Sequence, residues 1–394
     1  MNELLWFLLP VAAAAGWFAG KRNQTRATAA WNYANNIHKD VNLLLSERTL
    51  KPDELLDSLA ETDGEAADTY IALGNLFRRR GDVDKAILLH ESLLNTVKLE
   101  PTLRSSAMVA LAQDYDSAGL MDRAEALYRK LIASNPAFPD YWISLIHLHE
   151  REHDWAAAIE SAQAMKAAIP PNNKTIEKAD LPRRLAHFHC ELALRAAHDG
   201  YEEQFGELLE KALSYYPESA RAHIMLGQRA LRKGRNDDVL EHFRAVEAAR
   251  PALLPEIIDD WFAALRGASD PQALDDFIEH IRGRRNAYSV IRTTRDVIAE
   301  REGEAEGDRF LKEQIVRRPS LKSLRDWVHD QVQVARPEER ENVQVVATML
   351  DQVVEEKPLY ACRVCGFNGN VLHWQCPGCA RWDTVTTIVG IEGE

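Results

Sequence analysis

Apolar positions recur at helical spacing through most of the chain, most clearly over residues 105–138, SSAMVALAQDYDSAGLMDRAEALYRKLIASNPAF. Met108, Leu111, Ala112 and Tyr115 share one face of a first stripe, and Ala124, Tyr128 and Leu131 one face of a second. Gly119 lies at the joint and Pro136 at the close. This spacing predicts two short amphipathic helices. Ala112 and Ala124 let them approach closely, while the two tyrosines fill the space alongside. Helices this short are not stable alone, so the unit must stack on copies of itself. Similar units read at 67–101 (Tyr70, Leu73, Gly74, Phe77, Gly81, Ala86), 139–172 (Trp142, Leu145, His149, Ala158, Met165), 186–219 and 220–253. Weaker ones surround Trp261, Ala273 and Phe277, then Ile291, Phe310 and Pro319, and a degenerate helical hairpin precedes them over residues 31–63.

The period of about 34 residues resembles the tetratricopeptide repeat. That resemblance implies an all-α superhelical solenoid, here over residues 33–319, with the first helix of each repeat lining a concave groove. On that face fall Asn75, Arg78, Arg79, Gln113, Asp116, His147, Arg151, His187, Gln228 and Arg232. Such a row of amides and guanidiniums could hold an extended acidic peptide or a terminal carboxylate; a solvated helix face is the plainer reading. The basic cluster Arg282, Arg284, Arg285, Arg292 and Arg295 is open to the same two readings, with an acidic partner or anionic lipid on the functional side. Residues 320–357 read as two capping helices broken at Arg336–Pro337. Leu324, Trp327, Val328, Val345, Val346, Met349, Leu350 and Val353 are expected to face inward.

Residues 4–20 (LLWFLLPVAAAAGWFAG) are an uncharged apolar run that spans roughly 25 Å of a hydrocarbon layer about 30 Å thick. Trp6 and Trp17 sit where interfacial aromatics belong, and Pro10 is tolerable in a membrane helix. A cleaved signal peptide wants a basic start, whereas Glu3 precedes this run and Lys21, Arg22 and Arg26 follow it. The expectation is therefore an uncleaved single-pass transmembrane anchor over residues 1–20 and a basic juxtamembrane segment over 21–32. The rest of the chain then lies on the cytoplasmic side.

Charge narrows the partners. Against 48 Lys and Arg stand 61 Asp and Glu, a formal net charge of -13, which argues against nucleic acid. Four of the five cysteines fall in the last tenth of the chain, in YACRVCGFNGNVLHWQCPGCARW. Cys362 with Cys365, and Cys376 with Cys379, form two C-x-x-C knuckles, each able to supply two corners of a metal tetrahedron. Gly366 suits the first turn, Pro377 stiffens the second, and Phe367, Trp374 and Trp382 are spaced to cover a small core. The spacing allows a zinc ribbon or an iron site of rubredoxin type over residues 358–394. Four thiolates leave no position open for hydrolytic catalysis.

One motif competes. His149-Glu150-Arg151-Glu152-His153 matches H-E-x-x-H, in which two His on one helical face bind zinc and the Glu is the base. The repeat register places the end of a helix between the two histidines, and no third ligand follows. Cys190 reads as a small buried residue. No phosphate-binding glycine loop and no Ser/His/Asp set is present.

The anchor, the repeats and the paired knuckles together resemble the lipopolysaccharide assembly protein B family of Gram-negative bacteria. The likeness runs from LLPVAAAAGWFAGKR through LGNLFRRRGDVDKAI, DYDSAGLMDRAEALY and HFHCELAL to CRVCGFNGNVLHWQCPGCARW. It implies a non-catalytic adaptor of the bacterial inner membrane, with iron on Cys362, Cys365, Cys376 and Cys379. By the same resemblance the partners are a membrane-bound ATP-dependent protease and the UDP-acyl-GlcNAc deacetylase that commits material to lipid A. The adaptor promotes proteolysis of the deacetylase and so limits lipopolysaccharide output. A homodimer stays open. The alternative is a rubredoxin-type electron-transfer module that docks redox partners on its repeats.

Overall fold

Prolines and glycines set the helix boundaries that the repeat period only approximates. The computed structural model describes residues 64–95, 99–170, 180–284 and 287–393, with 173 and 175. The expected anchor, the juxtamembrane segment, the first hairpin, Arg285 and most of the inserted loop 172–180 lie outside these. Among the described residues no helix is long and apolar enough to cross a membrane.

The helices fall into two compact units divided after residue 176. Among the described residues the first unit holds three hairpins: α1 (Gly64–Arg80) with α2 (Val83–Asn95), α3 (Pro101–Ser117) with α4 (Met121–Ser134), and α5 (Pro139–Arg151) with α6 (Trp155–Ala168). Pro101, which the period reads as the end of one repeat, opens the next, as Pro139 does. Proline fits that first turn because its missing N–H has no helical partner there anyway. The cores follow the stripes: Leu111, Ala112, Tyr115, Ala124, Tyr128 and Leu131 are buried together. Small residues set the closest approach. A Cβ on Gly74 would meet the His90 ring at 2.4 Å.

The joint between paired helices repeats one motif. Gly119 takes φ 76, and the next amide, Leu120, reaches back to the Tyr115 carbonyl at 2.8 Å. Gly81, Gly200 and Gly234 do the same at their joints. This is the left-handed C-terminal cap that glycine adopts without a Cβ clash. In the third repeat the equivalent position is His153, at φ 57, with Asp154 N bonded to His149 O at 2.9 Å.

One part of the first unit is polar where a solenoid is normally apolar. Asp114 of α3 is fully buried and receives Arg78 Nη1 of α1 at 2.6 Å, with His90 Nδ1 of α2 2.5 Å from its other oxygen. Arg78 is further held by Asn75 and Gln113, each at 2.7 Å.

The second unit continues with α7 (Leu181–His198), α8 (Glu202–Tyr215), α9 (Ala220–Arg232) and α10 (Asn236–Ala249). A 3-10 turn, Pro251–Glu256, leads into the shorter α11 (Ile258–Arg266) and α12 (Ala273–Arg282). These are the weak repeats, and they compensate with aromatics: Trp261 stacks on Phe277 at 4.5 Å. Then come α13 (Tyr288–Glu302), α14 (Glu304–Arg317), α15 (Leu321–Val334) and α16 (Pro337–Glu355). The chain ends in a small antiparallel sheet of order β2-β1-β3, from β1 (Tyr360–Cys362), β2 (Asn368–Gly369) and β3 (Val385–Thr387).

The α15–α16 pair corrects an expectation. Val328 and Val332 pack against Ala347, with Leu350 beside them. Leu324, Trp327, Val345, Val346, Met349 and Val353 are exposed, Met349 by 62%. Each helix carries an apolar face wider than the other helix of the pair covers. The outer face of this cap stays apolar.

Candidate metal centre

Each knuckle is a tight turn that returns the chain after two residues. In the first, Gly366 at φ 75 lets its amide reach the Cys362 carbonyl at 3.1 Å, and Cys362 N donates to Phe367 O at 2.7 Å. The second repeats this with Ala380 at φ 54, whose amide donates to Cys376 O at 2.8 Å. The two turns face each other. The sulfurs of Cys362, Cys365, Cys376 and Cys379 consequently lie within 4.8 Å of one another, and no other His/Cys/Asp/Glu group of this kind occurs among the described residues.

These distances fit a metal. Sulfurs 2.3 Å from a tetrahedral ion stand about 3.8 Å apart; Cys362 Sγ is 3.8 Å from Cys379 Sγ, and Cys365 Sγ is 3.6 Å from Cys376 Sγ. The surroundings of Cys362 favour thiolate. The Thr384 hydroxyl, 3.3 Å from Cys362 Sγ, holds that thiol down to about 5, and the amides of Cys365 and Val364 support it. Cys365 gains from the Phe367 amide, yet burial and the neighbouring sulfurs push it up to about 12. Four sulfurs this close cannot all hold negative charge unaided, and a cation resolves the conflict. When bound, the ion supplies a cross-link between the two turns.

The other side of this domain is fixed to the repeats. Asp383, at φ 58 just after the second knuckle, accepts His187 Nε2 at 2.8 Å and Arg250 Nη1 at 2.6 Å. Burial pushes the His187 imidazole down, and the hydrogen bond and charge of Asp383 pull it the other way. Burial would raise the Asp383 carboxyl, but His187 and Arg250 outweigh it and hold it below the usual range. The Trp382 ring stacks on His187 at 4.5 Å and 14°. Trp374 lies under the guanidiniums of Arg221 and Arg250, at 5.7 and 5.9 Å. Tyr360 donates to Glu256 at 2.5 Å, and Thr387 to the Ala252 carbonyl at 3.1 Å. The two tryptophans expected to cover a core within the domain thus cover its seam with the repeats.

Comparison with known proteins agrees with this division. A family model described as a rubredoxin metal binding domain matches residues 360–386, and tetratricopeptide repeat models match 69–105, 109–173 and 207–253. Lipopolysaccharide assembly protein B of Escherichia coli strain K12 is 29% identical over 398 residues, covering all of both chains. Its Haemophilus influenzae namesake is 27% identical over 402 residues, covering 98% of each. Over its whole length the chain is similar to lipopolysaccharide assembly protein B. Among solved structures, a crystal structure of MamA is 21% identical and covers 48% of this chain and 95% of its own, at a TM-score of 0.33.

The residues expected on the groove face are placed unevenly. Asn75 and Gln113 line an open groove of about 730 Å³ with Phe138 and Tyr141. Arg78 beside them is engaged with buried Asp114. Arg151 pairs with Asp116, His147 with Glu150 at 3.0 Å, and Gln228 with Asp260 at 3.2 Å. Arg79 and Arg232 are exposed. His187 is a correction. It is buried beneath Trp382, because the metal domain covers that part of α7. Sequence reasoning missed Arg250 and Asp383, which lie 133 positions apart and carry no local signal.

The H-E-x-x-H segment is not a ligand set. His149 is buried in α5, the helix ends at Arg151, and His153 occupies the left-handed joint where other repeats carry glycine. Cys190 is fully buried, and burial pushes its thiol up to about 12, which makes it inert.

Proposed function

We propose that the chain is a membrane-tethered adaptor in lipopolysaccharide assembly, with no chemistry of its own. The full-length similarity to lipopolysaccharide assembly protein B carries this reading. The arrangement supports it physically. Repeats offer a rigid surface, and the four-sulfur site has no free coordination position. Its domain is bound into the repeat unit through Asp383, His187 and Arg250. In this reading residues 1–20 anchor the chain in the bacterial inner membrane with the repeats on the cytoplasmic side. Tethering raises the effective concentration of the adaptor beside a membrane-bound ATP-dependent protease, to which it presents the UDP-acyl-GlcNAc deacetylase.

Cross-linking in intact membranes tests the partners, and both proteins are expected joined to the repeats. Deleting residues 1–20 is expected to leave the repeats folded and to slow deacetylase turnover. Unchanged turnover would sink the tether. The metal is proposed to be iron, in keeping with the family, although zinc fits the same four sulfurs. A visible spectrum with redox titration separates them: a red, reversibly bleached protein marks iron. A colourless one marks zinc and ends the electron-transfer alternative.

A further inference from the structure

The seam between the metal domain and the repeats holds more guanidinium than its lock uses. Beside Asp383 lies a cavity of about 350 Å³, into which Arg183 from the first turn of α7, Arg250 after α10 and Arg363 from the first knuckle all converge. Arg250 donates to Asp383 and, at 3.3 Å, to the Val385 carbonyl. Arg363 makes one long contact, Nη2 to the Asp383 main-chain oxygen at 3.4 Å. Arg183 lies 5.7 Å over the Tyr216 ring, its Nε 2.9 Å from Asp180. Of the two carboxylates lining the cavity, Asp383 is already shared by His187 and Arg250, and Glu218 is exposed. The remaining wall includes Tyr216 and Pro251.

Asp383 pairs with Arg250 and Asp180 with Arg183, so among the described residues the Arg363 guanidinium alone of the three has no carboxylate partner, and an anion in the cavity would meet it. Burial lowers Arg250, and its cationic neighbours Arg363 and Arg183 add to this against the pull of Asp383. Planar guanidinium forks match the paired oxygens of a phosphate, and a tyrosine wall suits an organic body behind it. The volume falls in the lower range of small-ligand pockets. We propose that this cavity binds a small phosphorylated molecule, its phosphate held by Arg183, Arg250 and Arg363 and its body against Tyr216. The site is independent of the adaptor reading. It has one wall on the metal knuckle and the others on the repeats, so a bound phosphate clamps the two together.

A soluble phosphate ester and the headgroup of a lipid share this chemistry, and the test separates them. Full-length, metal-loaded protein in detergent micelles is titrated calorimetrically with glycerol 3-phosphate and with dihexanoyl phosphatidic acid. Saturable one-to-one binding of at least one is expected, and whichever binds more tightly identifies the source. Arg363→Gln and Arg183→Gln should each weaken it by at least about tenfold, since each removes charged hydrogen bonds. Arg309→Gln, a change at an exposed arginine on α14, should leave it unchanged. Metal content, measured alongside, should be equal in all variants. Absence of saturable binding up to roughly 10 mM of either compound overturns the proposal. So does undiminished binding by the Arg183→Gln/Arg363→Gln double variant.

Discussion

The repeats and the metal domain solve the problem of a core in opposite ways. Each repeat buries carbon: Phe243, Val246, Trp261 and Phe262 are almost wholly enclosed. The metal domain has a buried apolar cluster of Cys362, Cys376 and Val385, so two of the three residues in that cluster belong to the four-sulfur site. A repeat therefore folds on hydrophobic pattern, whereas the last 37 residues fold only as far as their sulfurs are held. The difference teaches that the metal belongs to the stability of this chain before it belongs to any reaction.

Removing the metal should break the contrast most sharply. Chelation, or Cys376→Ser, is expected to abolish amide-exchange protection over residues 360–387 while α3 to α5 keep theirs. Equal loss in both regions would show that the repeats depend on the metal too. The reverse test removes carbon from a repeat. Phe243→Ala should cost about 3–5 kcal/mol in denaturant unfolding of the second unit, because the side chain is fully buried against Gly227 and Trp261. Its metal content should stay intact.

Acid offers a gentler probe of the repeats. Burial, with Lys211 nearby, holds His189 down to about 4, and the ring stacks on Tyr215 with neither nitrogen hydrogen-bonded among the described residues. An unfolded histidine titrates near 6.5. As pH falls from about 6.5 to about 4 the unfolded chain takes up this proton first, so stability falls across that window. His189→Gln should flatten that slope, and an unchanged slope would assign it to other groups. The smallest effect lies at a joint. His153→Gly should stabilise the first unit by about 1 kcal/mol, read by thermal unfolding, since glycine adopts the left-handed cap without strain.

Periodicity made most of the helices legible. The glycine joints and the apolar stripes are local signals, and they placed the repeats and disqualified His149 and His153 as a zinc pair. The knuckles were legible for the same reason, since a ligand turn is written in four residues. Faces were harder. The pattern shows that Val345, Val346 and Met349 lie on one side of α16, but not that α15 covers only the adjoining side. His187 was misplaced because its environment is made by Trp382 and Asp383, nearly two hundred positions away. The seam as a whole pairs residues that have no sequence relation.

A stack of near-identical hairpins has an assembly problem: slipped by one unit, it still buries apolar surface. The Arg78–Asp114–His90 node makes that slip expensive. The place that Asp114 holds, five residues before the joint, is taken by Leu148, Arg195 and Arg229 in later repeats. If α1 and α2 docked against any of these, Arg78 and His90 would lie opposite a leucine or an arginine. A buried charge left without its partner costs about 3–5 kcal/mol. The node acts as a key at the start of the described repeats and fixes which hairpin comes second.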